Sequence, residues 1–215
     1  MFDAQRPPDE WFKDWWASTD FLPIVHEHNS KVSGDDFFNR PELQPLREAY
    51  AAGLFAWILG EQHKVRVKLD KDRFPDFHLD RDGQTLSFEL VEAYRPGVRR
   101  AAEYREAAKR RAAGLPEELA EFDPVQDETN ASPAIAEAME KKASKHYSSA
   151  PYLLVYVNFW LFNKPQMSLE QFAELAKPWA TKFPEIWLLW GANAIRCSPK
   201  PDMICATSLP KGMVA

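Results

Sequence analysis

The segment of residues 74–93, FPDFHLDRDGQTLSFELVEA, constrains the fold most because it combines two alternating runs with a tight-turn signal. The turn Asp80-Arg81-Asp82-Gly83 between these runs is typical of a β-hairpin. Side chains alternate along a strand, so one face holds Phe74, Asp76, His78 and Asp80, and another holds Thr85, Ser87, Glu89 and Val91. Antiparallel pairing then places the Asp76 and Glu89 carboxylates on neighbouring strands, as a candidate site for a divalent metal ion.

The surroundings of Glu89 leave other interpretations open. Its strand, LSFELVEA, is largely apolar, and a carboxylate there costs free energy to bury unless it is paired, protonated or bound to a cation. An arginine partner or a solvated strand face would also explain it.

Composition favours one globular domain spanning residues 1–215, since 45% of the residues are hydrophobic and 27% are charged. The chain contains no apolar run of about 18 residues, and its first residues lack the basic start and apolar centre of a signal peptide. We therefore expect a cytoplasmic protein with no membrane partner. Cys197 and Cys205 are too few for a disulfide framework, so they are interpreted as reduced thiols, although a disulfide between them stays open.

A net charge of −5 argues against a protein that coats nucleic acid nonspecifically, but the charge is uneven. Residues 95–111 contain seven basic and two acidic side chains, and an acidic segment follows. This patch predicts contacts with a nucleic-acid backbone from Arg99, Arg100, Arg105, Lys109 and Arg110. The alternative is a solvated helix beside an acidic loop.

Periodicity divides the chain into an aromatic-rich arm, residues 1–41, a core, residues 42–159, and an extension, residues 160–215. Within the core, residues 95–131 are interpreted as an insertion. The arm is predicted to form a short helix and an irregular stretch, with its tryptophans packed against the domain or stacked on bases. Helices are predicted over residues 42–59, 98–113, 133–147 and 168–182, and strands over residues 64–69, 73–79, 85–92, 152–159 and 186–190, with a short ending near residues 195 and 203–206.

The resulting order, αβββαβ, resembles the PD-(D/E)XK or restriction-endonuclease-like superfamily over roughly residues 42–159. Pro75-Asp76 matches the aspartate of its second core strand. Glu89-Leu90-Val91 matches its acidic-x-lysine motif in part, because Val91 stands at the lysine position. The resemblance implies an α/β fold with a central mixed sheet flanked by helices, and a metal-dependent endonuclease. It also implies Mg²⁺ or Mn²⁺ as cofactor, DNA or RNA as partner, and Asp76 and Glu89 as metal ligands.

In such enzymes the lysine is implied to orient or activate the attacking water, and some members place it on the following helix. At 100° per residue, Lys142 lies in the middle of the apolar stripe of helix 133–147, with His146 one turn on. Lys145 lies at the flank, and Lys141 points away. Lys142, or else Lys145, is therefore the predicted replacement, beside Asp76 and Glu89 as catalytic residues. The alternatives are a lysine that extends to solvent, or a salt bridge in an inactive site.

Other candidates and classes have less support. Glu48 matches an additional acidic ligand of some relatives, although a solvated carboxylate is the commoner role of a residue on a helix. His78 and His146 are expected to pack on the sheet, and His26 and His28, on a strand-like face, lack a zinc motif. P-loop, dinucleotide, serine-hydrolase and zinc-protease motifs are missing from the sequence. The competing hypothesis is an inactive nuclease-like module that binds a protein partner or forms a homodimer through its tryptophans.

Overall fold

The structure is a computed structural model that describes residues 7–33, 36–37, 40–68, 74–94, 100–115, 124–158 and 167–210, without the side chains of residues 100, 101, 103, 104 and 124–130. Eight strands of the described residues form one sheet in chain order. They are β1 (Trp16–Ala17), β2 (Lys64–Val67), β3 (Phe77–Arg81), β4 (Gln84–Ala93), β5 (Tyr152–Val157), β6 (Ile186–Trp190), β7 (Asn193–Ser198) and β8 (Asp202–Cys205). The helices are α1 (Ser18–Asn29), α2 (Gln44–Leu59), α3 (Arg100–Ala112), α4 (Pro124–Ala143) and α5 (Leu169–Ala176), with 3₁₀ turns at Asp9–Phe12, Pro41–Leu43 and Lys177–Trp179.

The sheet is mixed, because β4, β5 and β6 run parallel while the other neighbours pair antiparallel. Parallel neighbours need a crossover, and the described helices α3 and α4 lie between β4 and β5, with α5 between β5 and β6. The predicted α/β class, with a central mixed sheet flanked by helices, is therefore confirmed.

Helices cover the two faces of the sheet and create two apolar clusters. Beneath α1 and α2 lie the inward side chains Val65, Val67, Phe77, Leu79, Leu86 and Phe88. Beneath α4 and α5 lie Val91, Ala93, Leu153, Val155, Ile186 and Leu188, together with Ile135 and Met139 of α4. Successive residues of β4 alternate between the clusters, as period-two patterning requires.

The predicted hairpin is confirmed. In β3 and β4, Phe77 pairs with Phe88 and His78 with Ser87. Asp82 and Gly83 have φ values of 55° and 80°, the left-handed conformation that the tight hairpin turn needs. The Asp80 carboxylate accepts a hydrogen bond from the Gly83 N–H at 2.9 Å and fixes the turn.

The predicted start of the helix that carries Lys142 is wrong. Helix α4 begins at Pro124, so it includes Pro133 and part of the predicted insertion. Ser132 does not cap it; its hydroxyl donates to the Met167 sulfur at 3.3 Å instead. The helix also ends at Ala143, which leaves His146 exposed rather than packed on the sheet. Pro133 removes one backbone donor without ending the helix, because burial of the apolar stripe compensates for the lost bond.

The N-terminal region is more regular than predicted. Trp16 pairs with Val65, so the chain joins the sheet as β1, and α1 then packs against α2 through Phe21, Leu22 and Val25. Trp11 is 4% exposed, which confirms the packing role for that side chain. His26 and His28 lie on a helix rather than a strand. Pro23 lies inside this helix, where it removes one backbone donor without ending the helix.

Two further observations concern the whole described region. None of the helices among the described residues is both long and apolar enough to span a membrane. Cys197, buried on β7, and Cys205, exposed on β8, are both free thiols.

Candidate active site

The hairpin positions the two predicted carboxylates side by side. Asp76 precedes β3, and its N–H donates to the carbonyl of Phe88, the residue before Glu89, at 2.9 Å, which holds Asp76 beside the part of β4 that carries Glu89. The Leu90 N–H donates to Asp76 Oδ2 at 2.6 Å. A backbone donor therefore holds the Asp76 side chain in place on the face that α4 covers.

Lys142 reaches both carboxylates from α4. Its Nζ lies 2.5 Å from Glu89 Oε2 and 3.3 Å from Asp76 Oδ2. Lys142 is 8% exposed and Glu89 is 3% exposed, so the pair is buried. Burial favours the neutral amine, but the charges of Asp76 and Glu89 outweigh it and raise the pKa of Lys142. The side chain is therefore a charged ammonium held between two carboxylates.

Tyr147 and Lys145 complete the surroundings of Glu89. The Tyr147 hydroxyl lies 3.3 Å from Glu89 Oε2 and 2.9 Å from the Lys142 carbonyl oxygen. Burial, followed by the charge of Glu89, raises the pKa of Tyr147, so this residue is a donor. Lys145 Nζ lies 3.8 Å from Glu89 Oε2, and its side chain is 53% exposed. Lys142 therefore has the closer and more buried contact of the two predicted lysines.

The segment that follows α4 is anchored by a residue that the sequence did not single out. Lys182 donates to the carbonyl oxygens of Ala143 and Lys145, and its ammonium lies 5.7 Å from the centre of the Tyr147 ring. A cation at a helix C-terminus satisfies carbonyls that have no helical partner. Tyr147 was also missed, because on an extended helix it would lie about 140° from Lys142, off the apolar stripe; the helix instead ends at Ala143.

Glu48 adds a third carboxyl group from α2. The Gln44 amide donates to Glu48 Oε1 at 2.8 Å, and the side chain is half-buried, so a solvated role is wrong for this residue. Burial, and then the negative charge of Asp76, raise the pKa of Glu48 to about 7. Lys142 opposes that shift but does not cancel it. Glu48 is therefore a third carboxyl group near Asp76, and its burial is the larger cause of its raised pKa.

The donor chemistry fits a hard divalent cation. Asp76 and Glu89 offer carboxylate oxygens, which Mg²⁺ and Mn²⁺ prefer, and Glu48 lies close enough to Asp76 for the charge of Asp76 to raise its pKa, after burial. The cation between the two carboxylates is the Lys142 ammonium. Within the described ranges, no group of three or more histidine, cysteine, aspartate or glutamate side chains is arranged to hold a metal ion.

The predicted nucleic-acid contacts lie on a different element from the cluster. Arg105 and Lys109 are exposed on α3 and Arg110 is half-buried. Lys109 pairs with Glu106 of the same helix at 3.5 Å. Arg99, and the side chain of Arg100, lie outside the described residues. Contact of this helix with nucleic acid stays a prediction.

Asp76, Glu89 and Lys142 therefore meet in one cluster although Lys142 is 53 residues from Glu89 in the sequence. Val91, at the position where the resemblance implies a lysine, is 7% exposed in the cluster beneath α4. No protein-family model matches this chain, and no curated protein or solved structure matches it significantly.

Proposed function

We propose that the protein is a divalent-metal-dependent nuclease that hydrolyses phosphodiester bonds through a restriction-endonuclease-like core. The observation that carries the proposal is the contact of Lys142 with both Asp76 and Glu89. A lysine beside two carboxylates is the constellation that the resemblance implies. Here α4 supplies the lysine, in place of the strand position occupied by Val91.

The strand arrangement supports the same proposal. Helix α2 is followed by the antiparallel strands β2, β3 and β4, and the chain then returns through α3 and α4 to β5, parallel to β4. This is the αβββαβ order of the resemblance, with one additional helix. Asp76 directly precedes the second of these strands, β3, and Glu89 lies on the third, β4, which supports matching them to the two motif elements of the resemblance.

The residues of the cluster have separate roles in the proposed reaction. Asp76 and Glu89 would hold the metal ion, which when bound makes water more acidic and stabilises charge on a phosphate. The Leu90 N–H and the Tyr147 hydroxyl orient the two carboxylates. Lys142 brings a positive charge and hydrogen-bond donors to the place where a phosphate oxygen or the attacking water is bound.

A competing function is favoured by one feature of the same cluster. The Lys142 ammonium already neutralises part of the charge of the carboxylate pair, as in a structural ion pair. An inactive module that binds a partner would need no more than this. Metal binding separates the two possibilities, because a structural pair gives no reason for Mn²⁺ to bind.

The test is cleavage of labelled single- and double-stranded DNA and RNA by the purified protein with Mg²⁺ or Mn²⁺. We expect Glu89→Gln and Lys142→Met each to lower the rate by at least about 100-fold. Lys141→Met is the matched control, because Lys141 neighbours Lys142 but is exposed. Retained metal-dependent cleavage in an Asp76→Ala, Glu89→Ala double variant contradicts the proposal.

Direct Mn²⁺ binding, followed by electron paramagnetic resonance, gives a second measurement. We expect binding by the wild type and its loss in Asp76→Asn. If the wild type neither binds Mn²⁺ nor cleaves any of the four substrates, the binding module replaces the nuclease as the better description.

A further inference from the structure

The face of β2 to β4 that carries Asp76 and Glu89 continues away from the cluster as a basic surface. Lys64, Arg66 and Lys68 alternate along and directly after β2 on this face, while Val65 and Val67 point into the apolar cluster beneath α1 and α2. Lys64 is exposed, and Arg66 and Lys68 are half-buried. We call these three residues the basic strip.

The basic strip adjoins the cluster directly. The Lys68 N–H donates to the Asp76 carbonyl at 2.9 Å, so Lys68, Asp76 and Glu89 are neighbours across three adjacent segments. One row further along the sheet, Arg66 pairs with His78, and His78 with Ser87. A ligand that follows the strip from Lys64 to Lys68 is therefore led toward the carboxylates.

The charges of the strip are not neutralised by ion pairs with side chains in the part of the chain that the structure describes. No described side chain forms an ion pair or hydrogen bond with Lys64, Arg66 or Lys68, and the Arg66 Nε is buried without a hydrogen-bond partner among them. Asp80, opposite Lys64, accepts a hydrogen bond from the N–H of Gly83 in the hairpin turn. Buried donors are normally hydrogen-bonded, so the Arg66 Nε is a donor that a bound acceptor would satisfy.

Aromatic rings lie beside Arg66, in the row of paired residues that contains Arg66 and His78. The Arg66 guanidinium lies 4.9 Å from the centre of the Trp15 ring, and the Trp15 and His78 rings are 6.3 Å apart. Both rings are half-buried. Cations interleaved with aromatic rings are the combination that binds single-stranded nucleic acid, since phosphates contact the cations and unpaired bases stack on the rings.

We infer that the basic strip, together with Trp15 and His78, binds the single-stranded nucleic acid that enters the carboxylate and lysine cluster. This inference rests on the proposed function for its substrate class. It assigns the main backbone contacts to the sheet face and not to α3. The acceptor that Arg66 lacks is then a phosphate oxygen of the bound strand.

The test measures binding apart from cleavage, with Glu89→Gln protein in EDTA. The probes are fluorescein-labelled single strands of DNA and RNA of about 12 nucleotides, and the duplex of the same sequence. We expect Arg66→Gln, Lys68→Gln on this background to raise Kd about ten-fold and to lower the slope of log Kd against log salt by about two. Trp15→Leu should raise Kd about five-fold.

Two charge-matched variants make the result specific. Lys31→Gln, Lys200→Gln removes two exposed lysines outside the strip and should leave Kd unchanged. Arg105→Gln, Lys109→Gln tests α3, and should change Kd less than the strip variant. Thermal unfolding of each variant shows whether it is folded, and we expect it to be, because neither Arg66 nor Lys68 forms a side-chain ion pair or hydrogen bond with the described residues.

Each outcome separates this inference from the proposed function. Equal affinity of the strip variant and its parent, a larger loss in the α3 variant, binding to the duplex alone, or no binding of any probe overturns the inference. Tight binding through the strip by a wild type that never cleaves supports the inference and overturns the nuclease. Cleavage with a raised KM and unchanged kcat, when Arg66→Gln, Lys68→Gln is made in the wild-type protein, supports both.

Discussion

On strands β2 to β4, the face toward α1 and α2 consists of Val65, Val67, Phe77, Leu79, Leu86 and Phe88, whereas the other face carries Arg66, His78, Asp76, Ser87 and Glu89. The apolar face needs only burial to be stable. The polar face needs each buried charge to find a partner, as Glu89 does in Lys142. The same strands therefore have one face that stabilises the fold and another face that carries the candidate site. A slip of one residue in pairing would exchange the two faces.

The largest loss of stability is expected on the apolar face. Phe88 stacks on Phe77 with ring centres 4.9 Å apart, and Phe55 packs edge-on against it at 5.5 Å. Phe88→Ala should lower the free energy of unfolding by about 4 kcal/mol, measured with urea. Thr85→Ala, at an exposed position of the same strand, should change it by less than about 0.5 kcal/mol. Similar losses in both variants would remove the distinction between the faces.

Breaking the buried ion pair is expected to have the next largest effect. Lys142→Met keeps most of the apolar stem but leaves Glu89 without its closest cation, so the free energy of unfolding should fall by about 3 kcal/mol. Adding Glu89→Gln should restore part of that loss, because the most buried carboxylate is then neutral, while Asp76 keeps the Leu90 N–H as a donor. If the double variant loses as much free energy of unfolding as the two single variants together, the ion pair does not stabilise the polar face as described.

Glu48 should produce a smaller effect that depends on pH. Its pKa is raised from 4.5 to about 7 in the folded protein, so the unfolded chain loses this proton first as the pH rises. The group therefore lowers stability progressively between about pH 4.5 and pH 7. Glu48→Gln removes this destabilisation, so the free energy of unfolding of the variant should be about 2 kcal/mol higher than that of the wild type at pH 8.

That difference should shrink toward zero below about pH 4.5, where Glu48 is protonated in both the folded and the unfolded wild type. The measurement is urea unfolding in EDTA at pH 8 and pH 4.5. A difference that stays constant with pH would mean that the ionisation of Glu48 is not its source.

The smallest effect is expected at His78, whose charge is opposed by burial and then by Arg66 and Lys68. These causes lower the pKa of His78 to about 4, so the unfolded chain binds the proton first as the pH falls from about 6.5. Stability is then lost on acidification through this range. His78→Gln should match the wild type at pH 7 and lose less stability at pH 5 in urea unfolding. A larger loss than the wild type at pH 5 would contradict this account.

Local patterns predicted much of this fold because their causes are local. Alternation and the Asp82-Gly83 turn predicted the hairpin, and strand β6 has the predicted bounds, Ile186–Trp190. The position of Lys142 on an apolar helical stripe predicted that it needs a buried partner. Its contact with Asp76 and Glu89 agrees with that prediction, although the start of the helix was wrong.

Other features depended on residues far apart in the chain. Nothing near Trp16 indicates that it pairs with Val65, and nothing near Lys182 indicates that it binds the carbonyl of Ala143. Glu48 resembles a solvated helix residue until α2 is placed beside Asp76. Burial and neighbouring charge, which set its pKa, arise only when the elements pack.

The sequence by itself determined which side chains share a strand face and which lysine lies in an apolar stripe, because backbone geometry imposes periods of two and 3.6 residues on any chain. Only the tertiary structure decided that these faces meet and that Tyr147 contacts Glu89. It also decided that Arg66 and Lys68 lie in line with the cluster, with no side-chain ion pair or hydrogen bond to the described residues. Those relations follow from strand order and helix packing, which are settled by the free energy of the whole fold.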